Sequence, residues 1–343
     1  QANPRPSNLV PGMLLGSLIL VVLVFMLIFT NVWGYVEPVS PWFRNKFWLP
    51  FLLMAGPIAL LIGRKGLSTL DDQPEPNNTF SLGLLAFLVM VFLGTAGSAV
   101  YTTRVQTFEP RNNSFVVMTY NIQQANDDFG ERSYEEQFML IREVAPDILA
   151  LQESDSSRIS LNNNDFVRYY AGKLGYYSYY GPTTIAGTYG TAILSRYPLH
   201  NTQTVFTFSD QDEIGTAVAE IEIGGQLFAI YNVHPDGSDT AMLIWAESLL
   251  EHSKDKYNVI ALGDYNLRDY EEAYQRIASV YTNAWVSIYP SKIAPDGTDM
   301  SGENRIDHIF FSQSLMARNP VYILPPQSAT DHPVHWAEIL WKK

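Results

Sequence analysis

The segment 257–266, YNVIALGDYN, runs from four consecutive apolar residues, Val259 to Leu262, through Gly263 into Asp264, Tyr265 and Asn266. The apolar run reads as a buried strand. Asp264 and Asn266 are two apart, so in an extended segment their side chains point the same way. A carboxylate and an amide leaving a buried strand together suit a metal, a nucleophilic water or a phosphate oxygen. Taken alone, the motif has a plain turn as its rival reading, because Gly, Asp and Asn are turn formers. Five more segments share this layout: Asn121 in MTYNI, Glu153 in DILALQES, His234 in YNVHPDG, Asp307 in NRIDHIFF, and Asp331-His332 in ATDHP. Each polar residue sits at or just beyond an apolar run. Carboxylates, amides and histidines gathered at neighbouring strand ends are what a metal-assisted attack on phosphorus requires.

Around these motifs, strand-like and helical runs alternate. Strands are expected at 115–122, 147–153, 191–199, 217–223, 226–234, 257–266, 305–312, 319–324 and 334–341. Gly224-Gly225 makes a hairpin turn between the fourth and fifth of these. Helices are expected at 134–144, 240–252 and 271–277. Hairpins mixed with helical crossovers imply an α/β fold: a four-layer sandwich of two packed mixed sheets flanked by helices.

Each motif is weak by itself. A strand-end Glu153 is more often solvated, and a strand-end His234 more often caps or lies on the surface. Asp307 and His308 are strand neighbours on opposite faces, so one of them enters a site, and Asp307 is the choice. Pro333 pushes His332 toward an extended conformation. A carboxylate beside a histidine fixes its tautomer and raises its basicity, which makes Asp307 a partner for His332 as general base. His335, two residues on, is the competing histidine.

The N-terminal third differs in kind. Apolar runs at about 9–33, 47–63 and 80–101 are expected to be three transmembrane helices, the second being short and holding Pro57. Trp33, Trp42, Phe43 and Trp48 resemble an interfacial belt. These residues, 1–104, form a membrane domain, followed by a linker at 105–114 and a domain at 115–343. Basic residues do not decide orientation: Arg5, Arg64 and Lys65 fall on one side, and Arg44, Lys46, Arg104 and Arg111 on the other. Residues 1–104 hold six of the 22 Lys/Arg and four of the 35 Asp/Glu, which leaves 16 against 31 beyond them and a net charge of −15 there. A protein that tracks a nucleic-acid backbone usually has the opposite sign, so nucleic acid is disfavoured as the main substrate. With no cysteine in the chain, disulfides and thiolate metal sites are excluded.

The segments TYNI, PDILALQE, GTAILSRYPL, NVH, LGDYN, RIDHIFF and TDHP together resemble the endonuclease/exonuclease/phosphatase superfamily, over about residues 115–343. The resemblance implies that Glu153 is the main Mg²⁺ ligand, with Asn121 beside it and Asp331 as a second metal contact. Mn²⁺ or Ca²⁺ are the alternative ions. It also implies that His234 and Asn266 contact the phosphate, that Asp264 positions the nucleophile, and that His332 paired with Asp307 is the base. Two departures stand out. Gln123 occupies a position where many members have an acid, and Pro333 follows His332 with no residue between. A narrower likeness, in LQESDSSR (151–158), LGYYSYYGPTT (174–184) and TYGTAILSRYP (188–198), is to the C-terminal domain of membrane proteins that remodel GPI-anchor lipids to ceramide. It implies a lipid phosphodiester substrate at the bilayer and a multi-pass integral membrane protein whose catalytic domain is extracytoplasmic or luminal. The tyrosines of YYAGKLGYYSYY (169–180) either meet headgroups or pack near the sheet. The expected activity is a membrane-anchored, Mg²⁺-dependent phosphodiesterase acting by hydrolysis or transfer. The rivals are a membrane-tethered nuclease or phosphomonoesterase and a non-catalytic subunit with partners in a membrane complex.

Overall fold

The computed structural model describes residues 6–31, 49, 51–56, 78–102, 113–154, 164–180, 190–208, 213–302 and 305–341. The chain divides into two compact units, Gln1–Arg104 and Val105–Lys343.

In the first unit, α1 (Pro6–Asn31) and α2 (Asn78–Thr102) are helices of 26 and 25 residues, both without a charged residue. They coincide with the first and third apolar runs. The side chains described within them, 13–25, 83 and 85–98, are mostly exposed. Among the described residues, no helix is long and apolar enough to cross a membrane. The three expected membrane crossings are thus not found among the described residues. Of the second run, 47–63, only 49 and 51–56 are described, as helix. The linker at 105–114 lies outside the described residues as far as 112.

The second unit is built on two six-stranded mixed sheets. The first has the order β11-β12-β1-β2-β4-β3: β1 is Ser114–Asn121, β2 Ile148–Gln152, β3 Tyr177–Tyr180, β4 Ala192–Ser195, β11 Leu315–Ile323 and β12 Val334–Trp341. The second has the order β5-β6-β7-β8-β10-β9: β5 is Leu199–Phe208, β6 Glu213–Ile223, β7 Gln226–Val233, β8 Val259–Asp264, β9 Thr282–Asn283 and β10 Asp307–Phe311. Each sheet has one parallel pair at its centre, β1 with β2 and β7 with β8. A helix joins each pair: α3 (Tyr134–Val144) the first and α5 (Asp239–Ser253) the second. Both parallel pairs are flanked by antiparallel strands, so the two sheets share one strand-direction scheme.

Burial on both faces explains the unbroken apolar runs. Phe115, Val117, Ile148 and Ile193 of one sheet meet Ile221, Phe228, Ile260 and Ile309 of the other in a shared core. The opposite face of the first sheet (Met118, Tyr120, Leu149, Leu151) packs on α3 and α4 (Phe166–Leu174). The outer face of the second (Tyr231, Val233, Val259, Ala261) packs on α5 and α6 (Glu272–Ala278). The result is four layers, as expected. A last short helix, α7 (Ala284–Ile288), carries Trp285 against Tyr322.

Three glycines matter for this frame. Gly224 and Gly225, with φ of 59° and 76°, turn β6 into β7. At Gly263 a Cβ would lie 2.0 Å from the Val233 carbonyl oxygen, so only glycine lets β8 lie against β7 there. Elsewhere the structure departs from expectation. The expected strand at 191–199 breaks at Arg196–Pro198, between β4 and β5. The tyrosine-rich stretch forms α4 and β3, and Tyr170, Tyr176 and Tyr179 pack inside.

Candidate functional site

The expected polar residues lie at adjoining strand ends of the two sheets. Asn121 ends β1 and Glu153 follows β2. On the second sheet His234 follows β7, Asp264 ends β8, and Asp307 opens β10 directly opposite Asp264. His332 lies in the turn before β12. Parallel pairing with matched register delivers Asn121 and Glu153 to one edge, and His234 and Asp264 to the facing edge.

Most of the contacts in the cluster run across the seam between sheets. Asn121 Nδ2 donates to Glu153 Oε1 at 3.1 Å and to Asp264 Oδ2 at 3.0 Å. Its Oδ1 accepts from the Gln123 N–H at 3.0 Å, which fixes the amide with its nitrogen toward the carboxylates. His234 Nε2 is 3.5 Å from Asp264 Oδ2. His332 Nδ1 lies 3.2 Å from Asp307 Oδ2 and 3.7 Å from Asp264 Oδ2. Asn121, Asp264 and Asp307 are buried, while Glu153, His234 and His332 are partly open to solvent.

Local backbone holds these groups in place. Gln123, Gln124, Ala125, Glu153 and Asn266 all have positive φ although none is glycine. Such conformations cost energy and cluster at binding and catalytic sites. The turn carrying His332 is tied down from three sides. Tyr120 Oη donates to the Ser328 carbonyl, Ser133 Oγ donates to Ala329 O at 2.8 Å, and Gln137 Nε2 donates to Ala329 O at 3.0 Å. Pro333 directly after His332 does not carry the imidazole out of reach of Asp307.

Asn266 behaves otherwise than an extended reading implies. Its backbone N–H donates to Asp264 Oδ1 at 3.0 Å, a turn, and its Nδ2 donates to Pro235 O at 3.0 Å. It therefore braces the loop after His234. Asp331 is exposed and accepts from the Thr330 hydroxyl at 3.2 Å, with no described contact joining it to Glu153. His335 is fully buried, shares a 2.9 Å hydrogen bond with Val321 O and stacks on Tyr322, so it is not the site histidine. His308 points to the outer face, 2.8 Å from Leu267 O.

Charge and burial act oppositely on the two histidine classes. Burial pushes His308 and His335 down to about 3, so both are neutral packing groups. Burial also acts downward on His332, but the hydrogen bond and charge of Asp307, with Asp264 beyond it, outweigh this and raise it to about 10. Asp307 is raised to about 7 by burial and by the Asp264 charge. A cation among these carboxylates would relieve that repulsion.

A divalent ion fits the residues present. Asp264, Asp307 and His332 each offer a ligand atom within 4.8 Å of one another, and Glu153 adjoins them through Asn121. Asp307 Oδ1 is buried without a hydrogen-bond partner. The carboxylates supply hard oxygens, as Mg²⁺ or Mn²⁺ prefer, and leave the His332 ring free for proton transfer. An open cleft of about 660 Å³ adjoins His332, lined also by Arg268, Met300, Leu324, Asp331 and Pro333.

Comparison with known proteins agrees with this architecture. Among solved structures, the endonuclease/exonuclease/phosphatase from Bacteroides vulgatus is similar with a TM-score of 0.53 at 17% identity, over 67% of this chain and 100% of that one. A D. rerio TDP2 humanized by 14 mutations gives 0.52 at 15%, over 66% of this chain and 99% of that one. At such identities these matches bear on the fold alone. Protein cwh43 of Schizosaccharomyces pombe is 28% identical over 128 residues, which are 37% of this chain and 13% of that protein. The chain thus spans only a small part of that relative's length. Residues 118–332, which hold every strand-end group of the cluster, match the Endonuclease/Exonuclease/phosphatase family, and the chain belongs to it.

Proposed function

We propose that this chain is a membrane-anchored, divalent-metal-dependent phosphodiesterase acting on a lipid phosphodiester headgroup. The observation that carries the reading is the convergence of Glu153, Asp264, Asp307, His234 and His332 on one seam, with Asn121 between them. Asp307 accepts from His332 Nδ1–H, which leaves Nε2 to take a proton from the attacking hydroxyl. Asp264 lies between the two imidazoles and orients the nucleophile. His234, on the far side of Asp264, protonates or steadies the departing oxygen. Glu153 and the neighbouring carboxylates would hold a divalent ion, which would supply stabilisation of the negative charge that develops on phosphorus oxygens.

Four features support the lipid as substrate. The net charge of −15 beyond residue 104 disfavours a nucleic-acid backbone. The uncharged helices α1 and α2 supply apolar segments for a bilayer anchor. The likeness to cwh43 agrees with the narrower resemblance to GPI-lipid-remodelling proteins. The cleft beside His332, with Arg268 beside Met300 and Leu324, suits an anionic headgroup that carries apolar parts.

The test is to incubate the detergent-solubilised chain, and a Glu153→Gln control, with total membrane lipids and Mg²⁺. The expected result is the loss of one phosphodiester class with the parent chain and not with the control. Greater turnover of DNA or inositol phosphates than of lipid micelles would overturn the lipid assignment.

A further inference from the structure

Directly beneath the site lies a line of three polar side chains, each 0% exposed: Thr119, Gln152 and Asn232. Thr119 Oγ1 donates to Gln152 Oε1 at 3.1 Å, and Gln152 Nε2 donates to Asn232 Oδ1 at 2.6 Å. Asn232 Nδ2 then donates to Leu151 O at 2.8 Å and to Ala192 O at 2.7 Å. Asn232 belongs to β7 in the second sheet, and the other members belong to the first. The Asn232 amide has both its hydrogens and its oxygen engaged. Buried polar groups inside an apolar core are costly unless satisfied in this way, and once satisfied they specify one arrangement.

The placement of the three is systematic. Thr119 precedes Asn121 by two residues on β1, Gln152 immediately precedes Glu153, and Asn232 precedes His234 by two on β7. The line therefore links the three strands whose ends deliver Asn121, Glu153 and His234. Apolar contact between sheets is non-directional and leaves their offset soft, whereas hydrogen bonds of fixed length do not.

We infer that Thr119, Gln152 and Asn232 are positioning residues that set the gap across the seam and so the metal affinity and turnover of the site. They touch neither substrate nor ion and act through Glu153 and Asn121. The inference rests on the metal-dependent reading above, and its metal arm is measurable without any substrate.

The experiment uses the full detergent-solubilised chain, stripped with EDTA. Mn²⁺ binding is followed by the electron paramagnetic resonance signal of free Mn²⁺, and turnover with bis-p-nitrophenyl phosphate. Asn232→Asp keeps the side-chain size and removes both donated bonds, and Thr119→Val removes one hydroxyl at nearly constant shape. Ile277→Val, in the outer core on α6, serves as a mild packing control. The expected result is Mn²⁺ binding weakened by about tenfold in Asn232→Asp, with lower kcat and unchanged KM, as for other groups that orient metal ligands. Thr119→Val should shift both in the same direction by a smaller factor, and Ile277→Val should move neither. Should Asn232→Asp not fold, Thr119→Val decides alone. Variants that melt earlier yet bind Mn²⁺ and turn over like the parent would overturn the inference and leave the proposed function standing. A parent that binds Mn²⁺ and cleaves no phosphodiester would overturn the proposed function, leaving the positioning role to the Mn²⁺ arm. A parent that binds no Mn²⁺ overturns both.

Discussion

The side-chain nitrogen of Asn121, at the end of one sheet, lies 3.0 Å from Asp264 Oδ2 at the end of the other. The same nitrogen serves Glu153, so one neutral donor separates two carboxylates. Asn121→Asp would set a third carboxylate against them. In EDTA this variant should lose about 2–3 kcal/mol of stability, since a favourable donor becomes an uncompensated charge. Mg²⁺ should restore most of it. Urea midpoints with and without Mg²⁺ check this, and an equal loss in both conditions would refute it.

His332 and Asp307 are expected to act as one unit. His332→Ala should lower phosphodiesterase kcat by about 10²–10⁴-fold, the range for loss of a positioned base. Asp307→Asn should approach the same loss, and the double variant should be little worse than either single one. Steady-state kinetics on all three variants, with circular dichroism to verify folding, test the coupling. Multiplicative losses would mean that the two residues act separately.

Acid lability should trace to the packing histidines. His308 and His335 take a proton near 6.5 when unfolded, and burial holds both near 3 in the native chain. Their contribution to stability is therefore fully present above pH 6.5 and is lost as pH falls toward 3. Asp307, raised to about 7, acts in the opposite sense over much of this window, so the effect is read as a difference between proteins. His335→Phe, which keeps a ring against Tyr322, should lose stability less steeply between pH 6.5 and 4, by up to about 1.4 kcal/mol per pH unit. Parallel slopes would rule this out.

Gly263→Ala should be among the most damaging single-methyl changes in the chain. The new Cβ meets backbone, the Val233 carbonyl at 2.0 Å, and no side-chain rotation relieves it. A loss above about 4 kcal/mol, or failure to fold, is expected. Gly225→Ala has φ of 76° but open space around its Cβ, and should cost about 1–2 kcal/mol. Thermal melts of the two variants side by side decide it.

The strands that carry the site were legible because both their faces are buried. Runs such as 259–262 are apolar without alternation, and their polar ends stand out against that background. The sandwich, the hairpin at Gly224-Gly225 and the helices α3, α5 and α6 followed from the same reading. The segment 166–180 was harder. Its tyrosines occur in a polar stretch, and only tertiary packing of Tyr170, Tyr176 and Tyr179 reveals a helix and an edge strand. The break at Arg196–Pro198 depends on a distant partner, since Arg196 Nη2 donates to Ala145 O at 3.0 Å. At Asn266 the sequence allows an extended segment or a turn, and the Asp264 carboxylate turns the chain there. Thr119, Gln152 and Asn232 interrupt apolar runs and look like noise until two sheets face each other. The available signal is a polar residue inside or at the end of three separate buried strands, just ahead of each site residue.

The division of the cluster between two sheets has a further consequence. Phe228 packs edge to face on both Phe115 and Trp341, and Phe115 lies tilted against Trp341, in the shared core that keeps those sheets apart, with centroids 4.8–5.8 Å from one another. Trimming one of these rings would let the slabs settle, and the carboxylates at their rim would draw together or slide past one another. Ion affinity at the rim then becomes a ruler for the thickness of the interior. Hydrostatic pressure, which acts on internal voids, should be felt at the rim of the site before it is felt in the fold.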